Sequence, residues 1–153
     1  MNKADLEALF ARLAPALDAL VEPWCVIGSA AMLIGGLPIE DCPDLDIMTT
    51  EAGAAALELA WAAWRDPDYR PGQVDRFRSR FTPFAFPEGR AEVMGALEVN
   101  RGDGWRPVTM PVGRSADLGG RTIRVADRDE MIVLLTLFGR PKDLAKIALI
   151  EGA

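Results

Sequence analysis

The sequence predicts an α/β or α+β fold, a mixed β-sheet with flanking helices, and three observations lead to this class. Apolar runs alternate with helical patterns before residue 65, β-rich segments fill residues 75–126, and two helical patterns close the chain. Half of the 153 residues are hydrophobic, which is enough to bury one core. We therefore expect a single domain over residues 1–153, built from an N-terminal helix (1–22), a sheet core (23–126) and a C-terminal helix pair (127–153).

The first half of the chain predicts helices and short strands in alternation. Residues 4–21 carry leucines at spacings of three and four, which indicates an amphipathic helix, and Pro15 predicts a kink or a break in it. Residues 24–27 are an apolar run between Pro and Gly, as in a buried strand. Residues 30–34 predict a short helix, with Ser29 as its N-cap.

Next come a strand over residues 44–50, an Ala-rich helix over residues 51–64 and a turn region. The β-rich part then predicts four strands between Gly- or Pro-containing breaks: 74–86, 90–99, 105–112 and 121–125. A capping box at Asp127 and Glu130 begins a helix that ends at Gly139. A last helix follows with Pro141 at its first position and with Leu144, Ile147 and Ala148 as its apolar residues.

Composition and charge exclude several classes of function. The chain has no histidine, so catalysis by Ser-His-Asp or Cys-His and zinc sites that contain histidine are excluded. A net charge of −6 argues against indiscriminate nucleic-acid binding, although a nucleic acid could still serve as a specific substrate. The chain has only two cysteines, no signal-peptide core and no apolar stretch of about 18 residues. We therefore expect a cytoplasmic protein with no membrane partner.

Residues 26–48 contain the clearest candidate site. Asp44 and Asp46 are two residues apart on a predicted strand, so their carboxylates share one face of the sheet. Paired carboxylates repel unless a cation lies between them, and such oxygen ligands suit Mg²⁺. Gly28 and Ser29 stand between a strand and a helix, where free backbone N–H groups bind phosphate. Either motif alone is common in acidic loops and ordinary turns, so the prediction depends on their ordered combination.

This combination resembles the nucleotidyltransferase fold of the DNA polymerase β superfamily. The resemblance rests on VIGSAAMLIGG (26–36), which contains the Gly-Ser turn, followed by DLDIM (44–48), which contains the acid pair. The segment FGRPKDLAKI (138–147) is similar to the closing helical motif of small bacterial members, including the nucleotidyltransferase toxins of abortive-infection-type toxin–antitoxin systems.

The resemblance implies a role for each matching position. Gly28 and Ser29 match the phosphate-binding turn, and Asp44 and Asp46 match the two metal-binding carboxylates. A third carboxylate on a later strand is assigned to Glu92, where relatives more often have Asp, with Glu98 as its rival. The nucleotide-binding cluster of the closing motif is matched by Arg140, Lys142 and Asp143, whereas Lys146 stands where relatives often have another Asp.

The implied activity is Mg²⁺-dependent transfer of a nucleoside monophosphate from an NTP, ATP being the first choice, to a hydroxyl on a small molecule, an RNA end or a protein. Two alternatives remain open. The chain could be a catalytically degenerate nucleotidyltransferase-fold module that binds a partner, for instance in a toxin–antitoxin-like system. It could also be a generic α/β domain, in which Asp143 only complements a helix dipole and Glu92 is a solvated strand residue.

Two further patterns have simpler structural explanations. Arg76, Arg78 and Arg80 alternate with Phe77, Ser79 and Phe81, so a strand there would present the guanidinium groups on one face, either to bind phosphate or as an ordinary exposed face. The exposed face is the favoured interpretation. The four tryptophans are predicted to pack in or against the core rather than to stack on bases.

Overall fold

In the computed structural model, all 153 residues are described, and a seven-stranded mixed sheet packs with five α-helices. The helices are α1 (Lys3–Ala19), α2 (Gly28–Ile34), α3 (Glu51–Ala60), α4 (Arg128–Phe138) and α5 (Pro141–Glu151). The strands are β1 (Trp24–Ile27), β2 (Leu45–Thr49), β3 (Phe77–Phe86), β4 (Gly89–Asn100), β5 (Trp105–Pro107), β6 (Arg114–Leu118) and β7 (Arg121–Val125). This arrangement confirms the predicted mixed sheet with flanking helices.

The strand order is β3-β4-β2-β1-β7-β6, and β5 pairs with the far end of β4. Strand β2 is antiparallel to β1 and parallel to β4. The register places Ile27, Asp46, Glu92 and Pro83 side by side on four neighbouring strands. This row across the sheet brings together residues that are far apart in the sequence, and it determines the geometry of the candidate site.

Helix α1 begins at a capping box, in which the side chains of Asn2 and Asp5 each accept a hydrogen bond from the other's backbone N–H. It continues through Pro15, so the break that we considered does not occur. Proline removes one hydrogen bond from a helix. Here the residues on both sides of it, Ala14 and Leu17, are buried in the core, and their packing holds the helix together.

Helix α2 begins two residues earlier than the predicted start at residue 30. Gly28 is its first residue and Ile27 occupies the N-cap position, with no side chain capping the helix. The assignment of Ser29 as N-cap is therefore wrong. The reason is that Gly28 adopts φ +70°, which lets the chain turn directly from β1 into the helix without a capping side chain.

Helix α3 is shorter than predicted: Thr50 caps it, it ends at Ala60, and Ala62–Trp64 form a 3₁₀ turn. Its approach to β4 requires a glycine, because a Cβ atom at Gly95 would lie 2.6 Å from the Cβ of Ala54. Trp61 is buried as expected, in edge-to-face contact with Phe84. The other tryptophans are half-buried.

The second half of the sheet differs in detail from the prediction. Residues 74–76 precede β3, and residues 108–112 leave the sheet because β5 ends at Pro107. Strand β6 was not predicted. Its sequence, RSADL, carries polar residues on both faces because it lies at the edge of the sheet and pairs only with β7.

The two C-terminal helices follow the predicted signals. The capping box of Asp127 and Glu130 begins α4, and Gly139 ends it in the left-handed conformation at φ +66°. In α5, however, Leu144 is 54% exposed, and the buried residues are Asp143 and Ile150. The helix therefore turns a charged side chain inward. None of the helices has the length and apolarity that crossing a lipid bilayer requires.

Candidate active site

Three carboxylates meet on the face of the sheet that α5 approaches. Asp44 immediately precedes β2, Asp46 lies within β2, and Glu92 is the direct neighbour of Asp46 on the parallel strand β4. One carboxylate oxygen from each residue lies within 4.8 Å of the other two. Glu98, the rival third carboxylate, is not among them; it lies further along β4 and pairs with Arg78, with an Nη2–Oε2 distance of 3.1 Å.

The turn between β1 and α2 lies directly against Asp46. A Cβ atom at Gly28 would be 2.9 Å from Oδ2 of Asp46, so only glycine leaves this carboxylate oxygen accessible. Ser29 follows at the start of α2 and lines the same cavity. The Gly-Ser turn and the acid pair are therefore adjacent in space.

The electrostatics of the three carboxylates favour a cation between them. Burial and the neighbouring Glu92 raise the pKa of Asp44, and burial together with Asp44 and Glu92 raises the pKa of Asp46 well above its usual range. Oε1 of Glu92 is buried and has no hydrogen-bond partner. Buried polar atoms are rarely left unpaired, so the unpaired oxygen and the repulsion both fit a divalent metal ion.

Helix α5 supplies positive charge to the same cavity. Lys142 and Lys146 are one helical turn apart and both line it. Burial lowers the pKa of Lys146, and the carboxylates of Asp143 and Asp46 oppose that change. Sequence reasoning did not assign Lys146 to the site, although its i,i+4 spacing from Lys142 was a usable signal.

Arg140 and Asp143 are bound to each other. The guanidinium donates to both carboxylate oxygens of Asp143, at 2.6 and 2.9 Å, and Asp143 is fully buried. Arg140 also lies over the ring of Phe77, with its Cζ atom 4.8 Å from the ring centroid. Both residues line the cavity, and their mutual contacts fix the start of α5.

A second arginine near the carboxylates was missed by sequence reasoning. Arg90 lies two residues before Glu92 and donates to Asp66 at 2.9 Å, and its guanidinium stacks on the ring of Tyr69. Its Nη2 is buried without a hydrogen-bond partner. Burial, with the nearby Glu92 carboxylate, raises the pKa of Tyr69 to about 12. Tyr69 comes from the turn region, where nothing in the sequence marked it.

The carboxylates open into a cavity of about 660 Å³, a size typical of small-molecule sites. Beyond Glu92 its lining includes the polar residues Gln73, Arg78 and Ser79 and six apolar or aromatic side chains: Tyr69, Phe77, Phe81, Met94, Leu97 and Phe138. We call these six residues the aromatic wall.

The alternating arginines form no free phosphate-binding row. Arg76 precedes β3 and donates to the backbone carbonyl of Phe138, at 2.7 Å. Arg78 pairs with Glu98. Arg80 forms a bidentate ion pair with Glu58 on α3, in which Nη2 and Nε donate to the two carboxylate oxygens at 2.9 and 3.1 Å. Arg78 and Arg80 are exposed, in agreement with the exposed-face interpretation, whereas Arg76 is half-buried and precedes the strand.

Comparison with solved structures identifies the fold. A protein of Thermotoga maritima assigned to the nucleotidyltransferases superimposes with a TM-score of 0.76 at 22% sequence identity, covering 97% of this chain and 93% of its own. The antibiotic-resistance factor ANT(2'')-Ia gives 0.62 at 13% identity, covering 98% of this chain and 84% of its own. The lincomycin-bound lincosamide antibiotic adenylyltransferase LnuA gives 0.61 at 9% identity, covering 99% and 98%. No protein-family model and no curated protein sequence matches the chain.

The chain therefore has the nucleotidyltransferase fold, as the Gly-Ser turn and the acid pair indicated. At these identities the likeness concerns the fold, and the function has to be argued from the site itself.

Proposed function

We propose that this protein is a metal-dependent nucleotidyltransferase, which transfers a nucleoside monophosphate from an NTP to a hydroxyl acceptor. The observation that carries the proposal is the convergence of Asp44, Asp46 and Glu92 within 4.8 Å, directly beside the Gly28 turn. The nucleotidyltransferase fold and its adenylyltransferase neighbours support the same reaction class.

The three carboxylates are the proposed metal ligands, and Mg²⁺ suits them because all the donors are oxygens. When bound, the metal would supply positive charge that stabilises the attacking and leaving oxygens. Glu92 is also the proposed acceptor of the hydroxyl proton. Histidine is not required for any of these roles.

The donor's phosphates are assigned to the Gly28 and Ser29 end of the cavity and to α5. The backbone at Gly28 can approach a phosphate closely, and Ser29 adds a hydroxyl donor. Lys142 and Lys146 are the cations with lining positions next to the carboxylates. We assign a positioning role to Arg140 and Asp143, because their contacts are made mainly to each other and hold the start of α5.

The test is label transfer from α-labelled ATP in the presence of Mg²⁺ to acceptor pools of small hydroxyl compounds, RNA and protein. The Asp44→Asn/Asp46→Asn variant is expected to lose transfer. The matched control is Asp41→Asn, an exposed acid in the loop before the site. Equal transfer by the wild type and the double variant, or transfer that persists in EDTA, would contradict the proposal.

The second candidate is a catalytically degenerate module with this fold, which binds a partner, for instance in a toxin–antitoxin-like system. It is favoured by Lys146, a cation that lines the cavity beside the carboxylates, where relatives often have an acid. A thermal shift with ATP plus Mg²⁺, compared with ATP alone, separates the two, since ligand binding stabilises the native state. A metal-dependent rise in melting temperature is expected from the enzyme and not from the degenerate module.

A further inference from the structure

The row of residues across the sheet gives the candidate site a direction. The Gly28 turn lies at the β1 end, the carboxylates of Asp46 and Glu92 lie in the middle, and β3 lies beyond Glu92. Phe81 on β3 pairs with Met94 on β4, so the aromatic wall begins one side-chain position from Glu92. The two ends of the cavity therefore differ in chemistry. The Gly-Ser turn, the proposed phosphate site, lies at one end, and the aromatic wall lies at the other.

The stereochemistry of phosphoryl transfer assigns a ligand to each end. The attacking and leaving oxygens lie roughly in line on opposite sides of the reacting phosphorus. With the leaving pyrophosphate at the Gly28 end, the acceptor hydroxyl approaches from the side of β3. Its oxygen forms a bond to the α-phosphorus, the bond between that phosphorus and the β-phosphate oxygen breaks, and the hydroxyl proton passes to Glu92. The body of the acceptor then lies against the aromatic wall.

The charges around the wall limit what that body can be. Apart from the three clustered carboxylates, Asp143 is the one acid that lines the cavity, and it is fully buried in its pair with Arg140. No carboxylate is therefore left to pair with a cationic acceptor. Lys142 and Lys146 also line the cavity, and their charges repel cations.

We propose that the acceptor is a hydroxyl compound with an apolar, aromatic body and no positive charge, a proposal that rests on the nucleotidyl-transfer function above. Tyr69, Phe81 and Met94 are half-buried residues of the wall; the ring centroids of Tyr69 and Phe81 lie 5.8 Å apart, and Met94 is the strand partner of Phe81. Aromatic and thioether side chains make favourable contacts with a flat apolar ligand that is buried against them. The same charges disfavour a polycationic acceptor.

The test measures binding by isothermal titration, with 2-naphthaleneethanol as the aromatic alcohol and tobramycin as the polycationic one. Both are titrated at about 0.15 M salt, which screens non-specific attraction to the acidic protein, and Mg²⁺ with a non-hydrolysable ATP analogue is present. We compare Phe81→Asp with Leu59→Asp, which makes the same kind of change at an exposed position of α3 outside the cavity. If Phe81→Asp gives little folded protein, Phe81→Ser replaces it.

We expect the wild type to bind naphthaleneethanol, Phe81→Asp to weaken that binding by about tenfold or more, and Leu59→Asp to leave it unchanged. Tobramycin should bind more weakly than naphthaleneethanol to the wild type. Stronger binding of tobramycin, no binding of naphthaleneethanol, or equal binding by Phe81→Asp and the wild type would overturn the assignment.

Label transfer from α-labelled ATP to each alcohol is measured in parallel, so that the proposed nucleotidyl transfer and the proposed acceptor class are tested separately. Transfer to tobramycin and not to naphthaleneethanol would overturn the acceptor class and leave nucleotidyl transfer standing. Binding of naphthaleneethanol at Phe81, without label transfer to any hydroxyl, would overturn nucleotidyl transfer and leave an aromatic binding site.

Discussion

Gly28 and Asp46 are in such close contact that a methyl group at position 28 would lie 2.9 Å from the Oδ2 atom of the aspartate. The backbone at Gly28 also has φ +70°, a conformation that disfavours other residues. The same residue thus provides the turn into α2 and the space that keeps one carboxylate oxygen accessible. Its replacement affects backbone strain and carboxylate access together, and a second glycine allows the two effects to be separated.

The Gly28→Ala variant is expected to lose nucleotidyl transfer by about a hundredfold, because small displacements of reacting groups have effects of that order. Gly36→Ala is the control: Gly36 has φ +76°, but a Cβ there meets nothing within 4 Å. Both variants should lose ~1 kcal/mol of unfolding free energy from backbone strain. Urea denaturation and label transfer measure the two effects, and similar activity in the two variants would contradict the role of the contact.

Glu92→Gln should reduce the rate of transfer by about a hundredfold or more, since proton transfer by a positioned carboxylate contributes on that order. Glu98→Gln on the same strand should leave the rate unchanged within about twofold, because it removes only a surface pair with Arg78. Steady-state kinetics with saturating ATP measure both. An inactive Glu98→Gln variant together with an active Glu92→Gln variant would show that Glu98, and not Glu92, is the third carboxylate of the site.

The crowded carboxylates predict an unusual pH dependence for the metal-free protein. The pKa values of Asp44 and Asp46 in the folded protein are raised above the value of ~3.9 expected in the unfolded chain. The folded state therefore binds protons more tightly, and its stability falls as the pH rises from about 4 through the raised pKa values.

Asp46→Asn removes one charge from the cluster. At pH 7.5 without metal, its melting temperature should exceed that of the wild type by ~2–4 °C, the shift expected for ~1 kcal/mol in a chain of this size. The difference should shrink near pH 4, and Mg²⁺ should raise the melting temperature of the wild type alone. A less stable Asp46→Asn protein at every pH would show that repulsion among the carboxylates does not destabilise the fold.

The buried pair of Arg140 and Asp143 predicts non-additive effects on stability. Arg140→Met leaves a buried carboxylate without its partner and should cost about 3–5 kcal/mol of unfolding free energy. The double variant Arg140→Met/Asp143→Leu should recover much of this loss. The control is Arg106→Met, which breaks an exposed pair with Asp103 and should change stability by less than about 1 kcal/mol. Chemical denaturation tests this, and additive losses would contradict the coupling.

Lys146→Met should weaken binding of an ATP analogue with Mg²⁺ by about tenfold, the effect of losing one hydrogen bond to a charged group. Lys3→Met removes the same charge from the exposed start of α1 and should have no effect. Titration calorimetry at two salt concentrations measures the difference. A change of similar size in both variants would mean that only net charge matters, and not the position of Lys146.

The sequence predicted the part of the site that lies in short segments. The Gly-Ser turn, the acid pair and the capping box at Asp127 are local patterns, and each lies within one or two residues of its predicted position. The resemblance called for a third carboxylate on a later strand, and apolar neighbours in the sequence left both Glu92 and Glu98 as candidates. The direct pairing of Glu92 with Asp46 follows from the register of two strands that are separated by α3 and β3, and no local pattern encodes that register.

Other residues were missed for reasons of the same kind. Tyr69 lies in an irregular segment, and only tertiary packing brings its ring to Arg90 and Phe81. The apolar residues of α5 did not indicate its orientation, since Leu144 is 54% exposed and Asp143 is buried in its ion pair with Arg140. Periodicity counts apolar residues, so it cannot register a helix that packs through a buried salt bridge.

The row from Ile27 through Asp46 and Glu92 to Pro83 also makes the site sensitive to errors in folding. Side chains alternate between the faces of a strand, so a slip of one residue between β2 and its neighbours would turn the carboxylate of Asp46 toward the core and a core residue toward the cavity. Such a conformer could remain compact and keep its secondary structure. It would not respond to the metal, so metal binding distinguishes correctly registered molecules from misfolded ones of the same size.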